Sequence, residues 1–325
     1  MISVYVLLVL IPLSLLSWKC SYFMTFYNHN AEPISPVRFL IALVVPILIS
    51  QWSLRRQSLD ISGAVAACVV GFIMTISNLG FFSALLSFFI AGSKVTKFRA
   101  QQKKSIEEDF KEGGQRNWIQ VFCNGGIAAQ LAFLYLLEVG CTEKLIDFER
   151  YYIASWLSIA VMGSLCCSCG DTFSSEIGSV FGKSKTAWLI TTFQSVPKGT
   201  NGGISVIGTL ASFVGGAVVS VAFYLTLVLV ANEDYLTSSP PQWPLIFVGG
   251  MCGLLGSIID SFLGATLQYS GYDKSSGRIV NKPGPSVEHI CGTVFLDNHS
   301  VNLVASLSTA LLAPRIAFMV WTHFT

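Results

Sequence analysis

The sequence predicts an all-α polytopic integral membrane protein, a bundle of about nine transmembrane helices that forms one domain over residues 1–325. Hydrophobic residues make up 52% of the chain. Charged residues make up only 12%, about half the roughly 25% that is typical of soluble domains. The charges are also clustered between apolar runs, and several of these runs approach the roughly 20 residues that cross a bilayer as a helix.

The apolar runs define the predicted spans, which are 3–18, 37–54, 61–77, 80–93, 119–137, 152–169, 204–230, 245–267 and 301–322. Residues 1–35 are predicted to form a retained signal-anchor helix and a loop. Their apolar run, 3–18, lacks a basic leader and a small-residue cleavage site. Pro/Gly-rich turns separate later spans, as in SNLG and SSPPQWP. Residues 187–196 are too short to cross and predict an interfacial or re-entrant segment.

Lysine and arginine bias predicts the orientation of the bundle. Basic residues concentrate in four segments, 54–60, 94–118, 170–203 and 268–300. The segments 138–151 and 231–244 are mainly acidic. Nine spans place all basic segments on one side, which the positive-inside rule makes cytosolic. The N-terminus is then cytosolic and the C-terminus lumenal.

Composition also narrows the partners and the compartment. A net charge of +2 gives no indication of a nucleic-acid partner, and membrane lipids are the expected surroundings. Nine irregularly spaced cysteines argue against a disulfide framework. The absence of an Arg-rich transit peptide favours the endoplasmic reticulum or another endomembrane. The oligomeric state stays open.

The stretch CGDTFSSEIGSVFGKSK, residues 169–185, places charges at the end of an apolar run. On a helix, Asp171, Ser175, Gly178 and Gly182 share one face and Glu176 lies off it. A carboxylate beside a membrane core is costly and is usually functional. The alternative is structural, with Asp171 capping a following helix and the glycines allowing close packing.

Four further polar clusters lie at the same predicted face. QSVPKGTNGGIS (194–205) supplies backbone N–H groups, a lysine and a hydroxyl, which suits a phosphate cradle, although an ordinary turn has a similar composition. Asp260 and Ser261 lie inside an apolar span, where ionisable groups face a bundle interior. LDNHSVNL and EGGQRNWIQVFCNGG complete the set, with Asp297, Asn298, Asn302, Arg116, Asn117, Gln120 and Asn124.

Carboxylates, basic side chains and glycine-rich turns at one membrane face suit a magnesium-bound nucleoside triphosphate and a ligand with a greasy tail and an anionic head. Three other classes stay open. They are a transporter of a small or phosphorylated solute, a non-catalytic lipid-binding protein, and a cytidylyltransferase that makes a CDP-lipid.

The motifs GDTFSSEIG, GTNGGIS, GSIIDSFLGATLQ, VNL and GGQRNWIQVFCNGG resemble the transmembrane protein 19 family. The resemblance runs from about Pro33 to Pro314, and its plant and bacterial relatives include the phytyl-phosphate kinase of tocopherol synthesis. GD-x4-E-x-G-x3-GK followed by KGTNGG is more distantly similar to CTP-using dolichol and phytol kinases. Here Lys198-Gly199-Thr200 replaces their Lys-Thr.

The resemblance implies transfer of a phosphoryl group from CTP or ATP, with Mg²⁺, to an isoprenyl monophosphate. It implies catalytic roles for Asp171, Asp260 and Lys183, with the two aspartates as metal ligands. The implied nucleotide- and phosphate-binding residues are Gly170, Thr172, Glu176, Gly178, Lys198, Thr200, Asn201, Gly202 and Gly203. The implied acceptor-binding residues are Arg116, Asn117, Gln120, Asn124, Ser261, Gln268 and Asn302.

Overall fold

The structure, a computed structural model, describes residue 19 and residues 34–98, 115–180 and 186–323. The helices in these ranges are α1 Pro36–Arg55, α2 Ile61–Ser77, α3 Leu79–Lys97, α4 Trp118–Glu138, α5 Tyr152–Val180, α6 Val206–Val230, α7 Glu233–Thr237, α8 Pro244–Leu267 and α9 Asn298–Trp321. The strands are β1 Thr186–Leu189, β2 Ser195–Pro197, β3 Gly203–Ile204, β4 Gln268–Asp273, β5 Arg278–Val280 and β6 Val287–Val294.

The helices confirm the predicted polytopic all-α membrane class. Seven described helices are long and apolar enough to cross a bilayer, and α2 is a shorter apolar helix of 17 residues. These eight helices match eight of the predicted spans. The first predicted span, 3–18, lies outside the described residues. The total of nine spans and the cytosolic orientation therefore stay predictions.

Helix α5 lies at the centre of the bundle. In the 18-residue apolar stretch of α5, 89% of the residues are buried. In the corresponding stretches of the other six spanning helices, 28% to 44% are buried. It contacts α3, α4, α6, α8 and α9. Glycines allow the closest approach, since a Cβ added at Gly170 would lie 2.6 Å from Gly253 Cα on α8. The bundle is therefore organised around the helix that carries Asp171.

Helix α5 also extends further than the sequence predicts. The predicted span ends at residue 169 and residues 170–203 are assigned to a loop, but the helix continues through Val180. The helix accommodates its polar residues because their hydroxyls bond to its own carbonyls. Thr172 Oγ1 donates to Ser168 O at 2.8 Å, and Ser175 Oγ donates to Asp171 O at 3.0 Å. Asp171 is thus an interior helical residue and not an N-cap.

Two small antiparallel sheets follow α5 and α8 in the sequence. Their strand orders are β2-β1-β3 and β5-β4-β6. Residues 187–196, the predicted interfacial or re-entrant segment, form most of β1, a turn and the beginning of β2. The predicted loop 268–300 contains the whole second sheet and the first residues of α9. The sheets bring residues 200–203 and 268–271 next to the end of α8.

The helix ends near these sheets meet at one end of the bundle, which we call the strand end. It contains the C-terminal ends of α1, α3, α5 and α8 and the N-terminal ends of α2, α4, α6 and α9. Lys97 Nζ donates to Arg56 O at 2.6 Å, and Arg116 N donates to Ser58 O at 3.1 Å, so the α1–α2 connection contacts both ends of the α3–α4 connection there. The other end, which contains residues 138–151 and 231–243, is called the opposite end.

Candidate functional site

Two carboxylates on different helices lie near each other at the strand end. Asp171 on α5 and Asp260 on α8 lie close enough for their charges to interact. The contact of Gly170, one residue before Asp171, with Gly253, seven residues before Asp260, brings the two helix backbones together in this region. Both aspartates are partly buried. Two carboxylates kept together in a membrane bundle are costly, which indicates a functional site.

Asn302 on α9 lies between Asp260 and Asn124. With its amide turned toward the carboxylate, Asn302 Nδ2 donates to Asp260 Oδ2 at 3.1 Å and to Asn298 O at 3.0 Å. In the reverse orientation the nitrogen lies 3.4 Å from Asn124 Oδ1. Hydrogen-bond partners assign amide orientation, and the carboxylate favours the first arrangement.

Asn124 on α4 connects this group to the central helix. Its backbone carbonyl accepts from Ser168 Oγ on α5 at 2.9 Å, and its Nδ2 donates to Gln120 O at 2.9 Å. The structure thus brings four predicted site residues, Asp171, Asp260, Asn124 and Asn302, into one cluster. We call these four residues the carboxylate cluster. It is contributed by α4, α5, α8 and α9.

Arg116 adds a positive charge near the cluster, because it lines the same cavity as Asn124. Its backbone is fixed, because its carbonyl accepts from Asp60 N at 3.1 Å. Its Cζ lies 5.8 Å from the centre of the Phe88 ring. Burial lowers the pKa of Arg116, and the charge of Glu176 partly opposes this effect. Glu176, which lies off the Asp171 face, therefore has Arg116 as a charged neighbour.

Asn117 and Gln120 position Arg116 by capping α4. Asn117 Oδ1 accepts from Gln120 N at 3.0 Å, and Gln120 Oε1 accepts from Asn117 N at 3.1 Å. This reciprocal pair is a capping box, which fixes the first turn of the helix. In the structure both side chains stabilise the beginning of α4. An acceptor-binding role for them stays a prediction.

The glycine-rich turn at 199–203 ties the sheets to α8. Gly202 has φ +76°, and a Cβ there would collide with Ala265. Asn201 N donates to Ser270 Oγ at 3.0 Å and Asn201 Nδ2 to Tyr269 O at 3.1 Å. Thr200 N and Gly203 N donate to carbonyls of the same turn region. Because these three N–H groups already have protein acceptors, a phosphate cradle at the turn stays a prediction.

The other predicted site residues have different surroundings. Lys183 and Gly182 lie outside the described residues. Gly178 packs on α6, where an added Cβ would lie 3.2 Å from Gly208 Cα. Gln268 is buried at the beginning of β4, and Ser261 directs its carbonyl toward Gly202. Gly170 and Gly178 therefore have the contacts of helix packing.

The oxygen ligands of the cluster suit Mg²⁺. In the described parts of the chain, no three His, Cys, Asp or Glu side chains converge as a closed metal site. Mg²⁺ does not require such a site, since it commonly binds one or two carboxylates together with substrate phosphates and water. Asp171 and Asp260 provide two carboxylates, and the amide oxygens of the nearby asparagines provide neutral ligands of the same type.

Sequence reasoning missed the polar residues that precede Asp171 on α5. Ser168 Oγ bonds to α4, and Ser164 Oγ lies 2.7 Å from Ser306 Oγ on α9. Cys167 lies close enough to both aspartates to interact with their charges. The sequence does indicate that these residues belong together, because residues 164, 168 and 171 have the i, i+4, i+7 spacing of one helical face.

Fold and site together define a polytopic α-helical membrane protein with a carboxylate cluster enclosed at one end of its bundle. Residues 44–310 match the family model "Integral membrane protein DUF92". The chain belongs to this family of integral membrane proteins, and it is a multi-pass membrane protein.

Several curated relatives extend over most of the chain. It is 39% identical to Protein PGR of Arabidopsis thaliana over 277 residues, which cover 85% of this chain and 94% of that protein. It is 26% identical to a membrane protein of Methanocaldococcus jannaschii over 281 residues, covering 86% and 94%. It is 29% identical to Protein VTE6, chloroplastic, of Arabidopsis thaliana over 226 residues, covering 69% and 61%. No solved structure matches the chain.

Proposed function

We propose that the protein is a membrane-embedded kinase that transfers a phosphoryl group from CTP or ATP to an isoprenyl, phytyl-like monophosphate. The product is the isoprenyl diphosphate. The observation that carries the proposal is the meeting of Asp171 and Asp260 with Asn124, Asn302 and the nearby Arg116. The resemblance to the transmembrane protein 19 family supports the choice of reaction.

In this proposal Asp171 and Asp260 hold Mg²⁺, which when bound neutralises charge on the triphosphate. Arg116 faces the acceptor phosphate and offsets its charge, because guanidinium groups pair well with phosphate oxygens. An acceptor phosphate oxygen forms the new bond to the γ-phosphorus, the bond to the β-phosphate bridge breaks, and the nucleoside diphosphate leaves. The acceptor is already an anion, so positioning and charge neutralisation replace a general base.

The cytosolic orientation of the strand end belongs to the same proposal. Donor nucleotides are soluble, while the acceptor is held in the membrane by its tail, and the strand end is where these phases meet. We place the protein in the endoplasmic reticulum or another endomembrane, in contact with membrane lipids. Imaging of the tagged full chain against organelle markers tests this location.

A direct assay tests the reaction. Purified full-length protein in lipid nanodiscs is supplied with phytyl or geranylgeranyl monophosphate, Mg²⁺ and CTP or ATP, and the diphosphate is measured by mass spectrometry. Asp171→Asn should lower turnover by about a hundredfold or more, the usual scale for one preorganised electrostatic group. Full turnover in this variant would remove Asp171 from the metal site. Absence of product from the wild-type protein with both donors would overturn the kinase proposal.

Asp273→Asn is the matched control. Asp273 is the last residue of β4 and precedes an exposed turn at the same end of the protein, where its carboxylate accepts from Ser275 and Ser286 hydroxyls. The substitution makes the same chemical change away from the carboxylate cluster. Turnover should stay at the wild-type level.

The alternatives are a transporter and a non-catalytic lipid-binding protein. A transport path requires polar groups through the middle of the bundle. The half of α5 nearer the opposite end instead buries mainly apolar side chains, including Leu157, Ile159, Val161 and Met162. This observation favours a site that is accessible from the strand end alone.

A further inference from the structure

An apolar cavity lies beside the carboxylate cluster, between α1, α2, α3 and α4. Its walls include Ile49, Val70, Leu85 and Phe89. Arg116, Gln120, Asn124 and Thr172 also line it. Asn124 belongs both to this cavity and to the carboxylate cluster. Thr172 follows Asp171 directly on α5, so the cavity reaches the site from the side of the first four helices.

The part of the cavity nearer the strand end, which we call its mouth, has polar side chains such as Arg116 and Ser53, and the deeper part is apolar. Helices α1 and α3 run toward the strand end, so Ser53 and Phe89 lie near the mouth and Pro46 and Phe82 lie deeper. Each pair is seven residues apart on a helix, which corresponds to a depth of about 10 Å at 1.5 Å per residue. Arg116 lies at the mouth. An extended geranylgeranyl chain is longer than this cavity.

The charge of the cavity lining indicates what kind of ligand the cavity fits. Arg116 is the single charged side chain among the described residues that line the cavity. Glu176 stabilises the charge of Arg116 only in part, because burial opposes it, so a further anion beside the guanidinium is favourable. A cavity with apolar walls and one cation at its mouth is therefore complementary to an amphiphile with an anionic head.

We infer that this cavity is the tail-binding site of the acceptor lipid, with the acceptor phosphate at Arg116 and the first isoprene units among α1–α4. The inference rests on the proposed function. Because the cavity is shorter than the tail, it recognises the chain structure next to the phosphate and is insensitive to total chain length. Geranyl and geranylgeranyl monophosphates should therefore have similar KM values, and a straight-chain alkyl phosphate should have a higher KM.

Ala67→Phe tests the site by filling it. Ala67 lines the cavity from α2, so a phenyl ring there occupies the space of the tail. The KM for geranylgeranyl monophosphate should rise by about tenfold or more, the scale on which a hydrophobic pocket discriminates. The KM for the nucleotide should not change. Val69→Phe is the control, because Val69 is 48% exposed on the same helix and does not line the cavity.

A second measurement does not depend on turnover or on a variant. A diazirine-bearing isoprenyl monophosphate is crosslinked to the wild-type protein without nucleotide, and the labelled peptides are mapped. Label on the cavity-lining parts of α1–α4, suppressed by excess geranylgeranyl monophosphate, supports the inference. Label elsewhere, or an unchanged acceptor KM in folded Ala67→Phe protein, overturns it.

The two proposals fail separately. Wild-type protein that makes no diphosphate, yet is labelled in the cavity and loses the label in Ala67→Phe, overturns the kinase and supports the lipid site. Wild-type protein that makes diphosphate but is labelled outside the cavity overturns the tail site and supports the kinase.

Discussion

At the opposite end of the bundle charged and polar groups pair with each other, whereas at the strand end two groups of like charge lie together. Arg38 Nη1 lies 2.7 Å from Glu143 Oε1, which also accepts from Leu79 N at 2.9 Å. Tyr135 Oη donates to Thr142 O at 2.9 Å. Arg38 Nε and Nη2 are the exception, since they are buried without a partner in the described part of the chain.

The difference distinguishes polar groups that stabilise the bundle from polar groups that we expect to bind a ligand. An ion pair such as Arg38–Glu143 offsets its own desolvation cost and joins α1 to the 138–151 segment. Asp171 and Asp260 instead raise each other's electrostatic cost. Such an arrangement is destabilising, and destabilising groups of this kind are common at functional sites.

The largest expected effect is on stability at the opposite end. Glu143→Gln leaves Arg38 as an uncompensated charge with 12% side-chain exposure, which costs about 3 kcal/mol of unfolding free energy. The melting temperature in mild detergent should fall, while turnover per folded molecule stays at the wild-type level. Glu149→Gln, on an exposed residue of the same segment, should change neither quantity. A loss of turnover in folded Glu143→Gln protein would contradict the separation of the two ends.

Removing a charge at the strand end should have the reverse effect. Asp260→Asn relieves the repulsion with Asp171 and keeps a hydrogen-bonding group next to Asn302. The variant should gain about 1 kcal/mol of stability and lose diphosphate formation, a trade-off that is common at functional sites. Melting curves and the mass-spectrometric assay measure both. A fall in melting temperature as large as that of Glu143→Gln would make Asp260 a structural residue.

The smallest expected effect on stability comes from Asp297, a carboxylate at the strand end that caps a helix. Asp297 Oδ1 accepts from Ser300 N at 2.8 Å and caps α9, and hydrogen bonds from Ser300 lower the pKa of Asp297. A lowered folded-state pKa stabilises the fold above the unfolded value of about 3.9, and this contribution is lost as the pH falls through the folded-state pKa.

Asp297→Ala should therefore cost about 1 kcal/mol at neutral pH, the usual value for a lost N-cap. The difference from wild type should shrink as the pH falls below about 4. Melting temperatures measured from neutral to acidic pH check this. Asp297→Asn keeps a cap without a titrating group, so a pH-dependent difference as steep as that of Asp297→Ala would be unexpected in this control.

The spans were predictable from sequence because long apolar runs have few alternatives to a transmembrane helix. The sheets were not, because their strands are short and mix small, polar and apolar residues, as in QYSGYD. A hairpin signal was present between β4 and β5. Asp273 Oδ1 accepts from Ser275 N at 3.0 Å, and Gly277 has φ +71°.

The members of the carboxylate cluster could be recognised in the sequence because burying a polar group is costly, while their functional role stays a prediction. Asp171, Asp260, Asn124 and Asn302 stand out in apolar runs, and the structure brings them together. The glycine-rich turn shows what composition leaves open, since a sequence does not reveal which acceptor each N–H group meets. Asn117 and Gln120 show a second ambiguity, since their spacing, N-x-x-Q, suits ligands on one helix end and is also the spacing of a capping box.

The central position of α5 has a consequence for biogenesis. Its neighbours α3 and α4 precede it in the chain, but α6, α8 and α9 follow it. During synthesis α5 therefore enters the bilayer with one side still facing lipid, and it is long and apolar enough to cross. Ser164 acquires its partner Ser306 only when the last helix arrives. The face of α5 that carries Ser164 and Asp171 is thus among the last parts of the described bundle to be enclosed.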